Sequence, residues 1–305
     1  MAADKFSTYD VSNSLIRDVD KVIRNIDPTD TPFQSTIGSG KVKQKLFEWI
    51  EEALPASAFG ADSNAQVEGF DAPAASQAEV SYRTNLVQTF ARTAKVTGFL
   101  DDADLYGRKS EFARQKALQS KALKNDVELE LVGGAARAAV VGSDSVARKF
   151  ANVAQMIDGT MVNANGGSPR ALTETIVLAG AQALYTAGVK ADHLMVKPGD
   201  TLLISDFMKT SGAGRERDFG AAKKIVNSVE VYESPFMTFK VQKNRWMLSS
   251  TAMIYDADMW ELCWYRSWKT KSLPSTGDWQ ADYIFGDCAP KHKHFKSSYF
   301  IKDLS

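Results

Sequence analysis

Residues 46–83 read LFEWIEEALPASAFGADSNAQVEGFDAPAASQAEVSYR, and between Leu46 and Arg83 there are seven acids and no Lys or Arg. The acids are Glu48, Glu51, Glu52, Asp62, Glu68, Asp71 and Glu79, set among Ala, Ser, Gly and Asn. Such a stretch has little apolar surface of its own to bury, so it projects from a domain instead of forming its core. Both flanks favour strands. Lys43 to Ile50 supplies Phe47 and Trp49, and Tyr82 to Thr97 carries Leu86, Phe90, Ala94 and Val96 in a strand-compatible run. The connection between them holds Pro55, Gly60, Gly69 and Pro73. Compact domains seldom carry a structureless connection beyond about 12–15 residues. Residues 43 to 97 therefore read as a long two-stranded arm with an acidic tip.

A basic helix follows. Leu105, Phe112, Leu123, Val127 and Leu131 recur at near-multiples of 3.6 and make one stripe. Asp101, Asp102 and Asp104 suit its positive N-terminal end, and Gly133-Gly134 marks the stop. Leu118, Leu129 and Val132 lie off the stripe, which predicts a second covered face. The exposed part carries Arg108, Lys109, Arg114, Lys116, Lys121 and Lys124.

Ahead of the arm, Val11, Leu15, Val19, Val22 and Ile26 share one helical face, and Asp27 to Phe33 reads as an extended, Pro-rich strap lying on another surface. Beyond the basic helix, Ser168-Pro169 reads as the cap of a helix with Leu172, Ile176, Ala179 and Ala183 on one face, ending near Gly188. Asp200 to Ser205 reads as a short apolar strand, and Gly212 to Gly220 as a charged glycine-rich loop. Strands are expected at 225–232, 238–241, 246–248, 253–255 and 262–268. The last stretch reads as short strands with turns at Pro274, Gly277 and Pro290.

The totals exclude several classes. At 305 residues the chain allows one large core with an appendage, or two lobes. Thirty-seven basic residues balance thirty-seven acidic ones, unlike a domain devoted to gripping phosphates. No apolar run approaches the ~20 residues of a membrane span. Cys263 and Cys288 are too few and too separated for a disulfide framework, which fits a reducing cytosol, and they read as buried thiols. His292 and His294 alternate as strand residues do, but no third metal ligand is spaced to join them, and solvated histidines are expected. His193 reads as a surface residue. The Gly212–Gly220 loop ends in Ala221-Ala222, where a phosphate loop needs Lys then Ser or Thr. No GxSxG elbow or HExxH pair occurs. Trp260, Trp264, Trp268 and Trp279, with Arg266, Lys269 and Lys271, raise single-strand stacking as an idea, but with zero net charge they read as core and subunit contact. No catalytic residue, cofactor site or metal site is expected.

The residues resemble a known family. Tyr9 to Arg17, Asn25 to Phe33, Glu48-Trp49, Asn64 to Gly69, Gly107 to Glu111 with its helix, Lys224 to Tyr232, Asn244 to Met247 and Ser272 to Asp278 together look like a major capsid protein of tailed bacteriophages, of a subgroup best known among short-tailed phages. The resemblance implies an α+β chain with the tailed-phage major capsid fold. Residues 1–42 would be the N-terminal arm, 43–98 the extended-loop hairpin, and 99–164 the spine helix (about 102 to 133) with part of the peripheral domain. Residues 165–250 would be the axial domain, and 251–305 further peripheral-domain strands and the C-terminus.

The implied function is a virion capsid protein that self-assembles through pentamers and hexamers, in the host bacterial cytoplasm, into an icosahedral head. Acidic residues of the loop (Glu51, Glu52, Asp62, Glu68, Asp71) are expected to dock on the basic helix face (Arg108, Lys109, Arg114, Lys121, Lys124) of an adjacent subunit, with charge guiding register. Some shells of this fold are closed by a bond from a loop lysine. No Lys occurs between Lys45 and Lys95, so a noncovalent shell is expected, helped by a cement protein. The short polar N-terminus beginning at Met1 implies a separate scaffolding protein and no maturation cleavage. A portal is a further expected partner, and packaged double-stranded DNA lies in passive proximity. The alternatives are a bacterial nanocompartment shell of the encapsulin type, or an oligomeric enzyme with an unrecognised site.

Overall fold

The structure is a computed structural model that describes residues 29–52, 65–71, 80–103, 110–210 and 231–305, with the backbone alone at 208–210. The expected helix at Thr8 to Ile26, the loop positions 53–64 and 72–79, Asp104 to Lys109, and the Gly212–Gly220 loop lie outside the described residues.

The long helix covers only the later part of the stripe and starts at Glu111, not near 102, because Ala103 and Ser110 both have extended backbone. After α1 (Pro32–Thr36) and α2 (Gly98–Asp102), α3 runs Glu111–Val132. Ser110 caps it by accepting the Ala113 N–H at 3.2 Å, and Asp101 reaches from α2 to accept the Phe112 N–H at 3.1 Å. An acid at this end thus serves orphan donors as well as the helix dipole. Leu123, Val127 and Leu131 are fully buried. Leu129 stays 47% exposed, so the second face is only partly covered: Val132 is buried and Leu118 half-buried. Gly133 follows the last helical residue, and only glycine fits there, since a Cβ would lie 2.5 Å from the Leu129 side chain and 2.7 Å from the Trp246 carbonyl.

α3 lies on a four-stranded sheet ordered β1 (Gly38–Lys41), β10 (Trp260–Leu273), β11 (Trp279–His292) and β4 (Gln88–Thr97). Two ion pairs fasten it there, Arg92 to Asp126 at 2.7 and 2.9 Å and Lys116 to Asp282 at 2.7 Å. β10 and β11 form one long hairpin where short strands were expected, and Pro290 is inside β11, not in a turn. β4 pairs with β11 only as far as Cys288. Beyond it Pro290 sits on an edge, where its missing N–H costs no ladder bond, and the Asn85 amide donates to its carbonyl at 2.8 Å.

A second, six-stranded sheet is ordered β5 (Val162–Asn163), β12 (Ser298–Ile301), β9 (Ala252–Tyr255), β6 (His193–Val196), β8 (Thr238–Lys243) and β7 (Val231–Glu233). Residues before 165 and after 250 therefore enter the same sheet as 193–243. α5 (Glu174–Thr186) packs on it through Val177, Gly180, Ala181 and Leu184. A Cβ at Gly180 would come within 2.7 Å of the Tyr299 ring, so glycine sets that approach. The helix begins after Thr173, not at Ser168-Pro169 as the sequence implied. Asp200 to Thr210 is helix α6 and not a strand. Trp246 to Leu248 is a turn, because Asn244 accepts the Trp246 N–H at 2.9 Å. A further short helix, α4, spans Val153–Met156.

The strap departs most from expectation. From Thr31 it belongs to the core: Pro32–Thr36 is helical and Phe33 is fully buried, edge-on to Tyr255 at 5.4 Å and Trp260 at 5.7 Å. Glu128 of α3, itself buried, accepts the N–H groups of Phe33 at 2.8 Å and Gln34 at 3.0 Å, and the Asn244 amide at 2.7 Å. A side chain ninety-five positions away thus replaces the local N-cap. Burial raises the Glu128 pKa, while those donors pull it down.

Candidate functional site

The arm is a ribbon of β2 (Leu46–Glu51) and β3 (Ser81–Leu86). Its return leg is two strands: β3 pairs with β2, and only Val87 separates it from β4, which joins the body sheet. The Val87 N–H donates to the Lys45 carbonyl at 2.9 Å and closes the root. Alternation sorts the ribbon into two faces. On the inner face Phe47 and Trp49 stack at 5.6 Å, and Arg83 lies 4.4 Å over Phe295 and 3.4 Å from the Glu51 carboxylate. A cavity of about 400 Å³ lies beneath, lined by Trp49, Glu51, Arg83, Gln155, His292 and Phe295. On the outer face Ile50 is 59% and Tyr82 65% exposed, directly paired, with Leu46 and Glu48 beside them. A two-stranded ribbon is marginal in water on its own, and this one leaves adjacent apolar side chains uncovered.

The acidic contact candidates separate. Glu51 is buried against Arg83 of its own chain, which withdraws it from the surface. Glu52, Glu68 and Asp71 are exposed, while Asp62 lies outside the described residues. Of the basic candidates, Arg114 is held by Glu111 at 3.0 Å. Lys121 and Lys124 are exposed on α3, while Arg108 and Lys109 lie outside the described residues. Ile50 and Tyr82 were not among the sequence candidates, because their pairing depends on the register of β2 with β3.

His292 is not solvated. It is fully buried, stacked on Trp260 at 3.9 Å, with Nδ1 3.2 Å from the Met156 carbonyl and Nε2 2.7 Å from Ser297 Oγ. Desolvation pushes its pKa down to about 3, so the ring is neutral. Ser297 is also fully buried, and its Oγ lies 2.8 Å from the His294 carbonyl. This serine–histidine contact is packed into the wall of the cavity beneath the ribbon. His193 is half-buried, stacked on Tyr255 at 5.3 Å and 2.7 Å from the Asp192 carboxylate. Both cysteines are buried thiols, with Cys263 raised to about 11 by desolvation and Cys288 raised further for the same reason. Among the described residues no group of three or more His, Cys, Asp or Glu is placed to hold a metal, and no helix is long and apolar enough to cross a membrane.

A projecting ribbon continuous with a body strand, a long helix laid across that strand's sheet, and a second mixed sheet with its own helices define the class of tailed-phage major capsid proteins. Within that class, the profile of the SU10 major capsid protein family matches residues 3–305, and the chain belongs to this family. The major capsid protein of Escherichia phage Phieco32 is 24% identical over 314 residues, covering 88% of each chain. In solved structures, the capsid asymmetric unit of cyanophage A-1(L) aligns with a TM-score of 0.72 at 12% identity, over 98% of this chain and 99% of that one. The SrpI encapsulin of Synechococcus elongatus PCC 7942 aligns at 0.59 and 8% identity, over 95% and 93%. The fold is thus common to phage heads and nanocompartments, and the family match decides between them.

Proposed function

We infer that the chain is the structural unit of a phage head, assembling with copies of itself as pentamers and hexamers into an icosahedral shell around the genome. Family membership supports this, and the uncovered outer face of the ribbon, with Ile50 and Tyr82, is the observation that carries it. Burying that face against a neighbour removes apolar surface from water, the main favourable term in such association.

Our finer reading is that the acidic loop, now reduced to Glu52, Glu68 and Asp71 among the described residues, approaches Lys121 and Lys124 on α3 of the adjacent subunit. Complementary charge would set register and encounter rate more than affinity. The four-stranded sheet with α3 would be the peripheral domain, and the six-stranded sheet with α5 and α6 most of the axial domain. With no lysine between Lys45 and Lys95, the shell is held noncovalently. A scaffolding protein, a portal and a cement protein complete the proposed partners, with assembly in the host cytoplasm.

Negative-stain microscopy of the chain expressed alone and with its neighbouring phage genes tests both levels. Closed shells or five- and six-fold rings are expected. Lys121→Glu with Lys124→Glu should abolish them while the circular dichroism spectrum stays unchanged, because both residues are exposed. Normal shells from that variant refute the docking. A uniformly small species under every condition refutes assembly itself.

A further inference from the structure

The aromatic and basic residues of the last third do not all enter the core. Trp260 is buried, and Trp264 and Trp268, edge-on to each other at 5.2 Å, pack against the core. Trp279, Tyr283 and Phe285 go elsewhere. In β4 the even positions face α3, and the odd ones, from Thr89 to Thr97, are exposed. The register carries this outward face across the sheet: Thr93 lies beside Tyr283 and then Lys271, Ala91 beside Phe285 and then Lys269, and Thr97 beside Trp279. Directly paired residues share a face. Tyr283 and Phe285 stack at 5.1 Å as its floor.

Cations are seated on that floor. Lys95 Nζ lies 4.0 Å over the Trp279 ring and Arg266 lies 5.0 Å over Phe285. Arg266 is matched by Asp287. Lys95, Lys269 and Lys271 are exposed, and among the described residues none has an ion-pair partner. Lys269 and Lys271 are two apart on one strand, about 7 Å, and β4 lies two strands away, about 10 Å. Among the described residues the face therefore shows three charges without an ion-pair partner within a small area, ringed by threonine hydroxyls.

Its occupant must be anionic and rich in acceptors. The acidic ribbon of a second copy is a poor match, because Ile50 and Tyr82 need an apolar surface that lysines and threonines do not give. Stacked bases are a poor match too, since Trp279 and Phe285 already carry cations. We propose that this outward face of the four-stranded sheet binds the phosphate backbone of nucleic acid, without base recognition, through Lys95, Lys269 and Lys271. Duplex DNA carries one charge per about 1.7 Å of axis, so cations spaced by strands always find phosphates. Three contacts hold weakly in one chain, and repetition over a shell would multiply them through effective concentration. The proposal goes beyond the shell-building reading, and its failure leaves that reading intact.

Fluorescence anisotropy of the purified chain with a labelled DNA duplex, at rising salt, tests it. Three phosphate contacts give a slope of about −2.7 in log K against log salt, so affinity falls about 40-fold between about 50 and 200 mM. Neutralising Lys269→Gln and Lys271→Gln should cut that loss to about 3–4-fold, with an unchanged melting curve. The control Lys190→Gln with Lys240→Gln, both exposed elsewhere, should keep the full slope. Duplexes of unrelated sequence should bind alike. No binding at about 50 mM salt overturns the proposal, as does a slope unchanged in the Lys269 and Lys271 variant, or equally reduced in the control. A labelled peptide of residues 46–71 that binds where the duplex does not would give the face to a second copy instead, and also overturn it.

Discussion

Replacing Phe33 by Ala tests whether the strap is part of the folded body. Phe33 is fully buried, and its ring meets Tyr255 and Trp260 edge-on. Truncating a buried phenylalanine to alanine removes its transfer energy and leaves a cavity, together about 3–5 kcal/mol. For a chain of 305 residues the unfolding entropy is about 0.6 kcal/mol per degree, so a loss near 4 kcal/mol lowers Tm by about 6 °C. Phe33→Leu keeps most of the apolar area and loses the two edge contacts, each worth about 0.5–1.5 kcal/mol, so it should cost about 1–3 kcal/mol. Urea titration of the unassembled chain gives the totals, and hydrogen exchange gives the place. The N–H groups of Phe33 and Gln34, bonded to Glu128, and of Ile37, bonded to the Phe33 carbonyl, should lose protection first. A Phe33→Ala chain within about 1 kcal/mol of wild type, with those amides still protected, would refute the docked strap.

His292 makes the stability pH-dependent. Its folded pKa, about 3, is below the unfolded value of about 6.5. Between those values the unfolded chain binds the extra proton, so stability is retained above about 6.5 and falls as pH drops, by about 2 kcal/mol between about pH 7.5 and pH 5. Urea midpoints of His292→Gln should show a shallower fall, and a slope equal to wild type would count against the buried ring. Gly286→Ala would set a Cβ 2.6 Å from the Trp268 ring, so overpacking should cost about 1–3 kcal/mol and shift the tryptophan emission. Unchanged emission and stability would show that this approach is loose. A thiol reagent at neutral pH should leave Cys263 and Cys288 unmodified until urea unfolds the chain, since both are buried and their thiols are raised. Rapid native labelling would contradict that burial.

How much of this was readable depended on whether a signal was local. The α3 stripe and its Gly133 stop are local, and so is the alternation that gives β2. The apolar run at Asp200 to Ser205 was too short to tell strand from buried helix by composition, and the acid after Pro198-Gly199 was the cue to a helix start. Pro290 looked like a turn because nothing nearby says that β4 has already left β11 there. Glu128 carries no local signal of its role, and only the arrival of α1 makes it a cap. The outer face of the ribbon was half legible, as an acidic arm, but its apolar pair Ile50 and Tyr82 depends on register.

The passage from β3 through Val87 into β4 has a mechanical meaning. β4 is paired with β11 along its whole length, from Gln88 to Thr97, and Arg92 on it is clamped to Asp126 of α3. A neighbour tugging on the ribbon pulls β4 along its own axis, so the hydrogen bonds share the load in shear and do not unzip one at a time. The ribbon is then a tension member anchored in the four-stranded sheet and, through Arg92, in α3 of its own subunit.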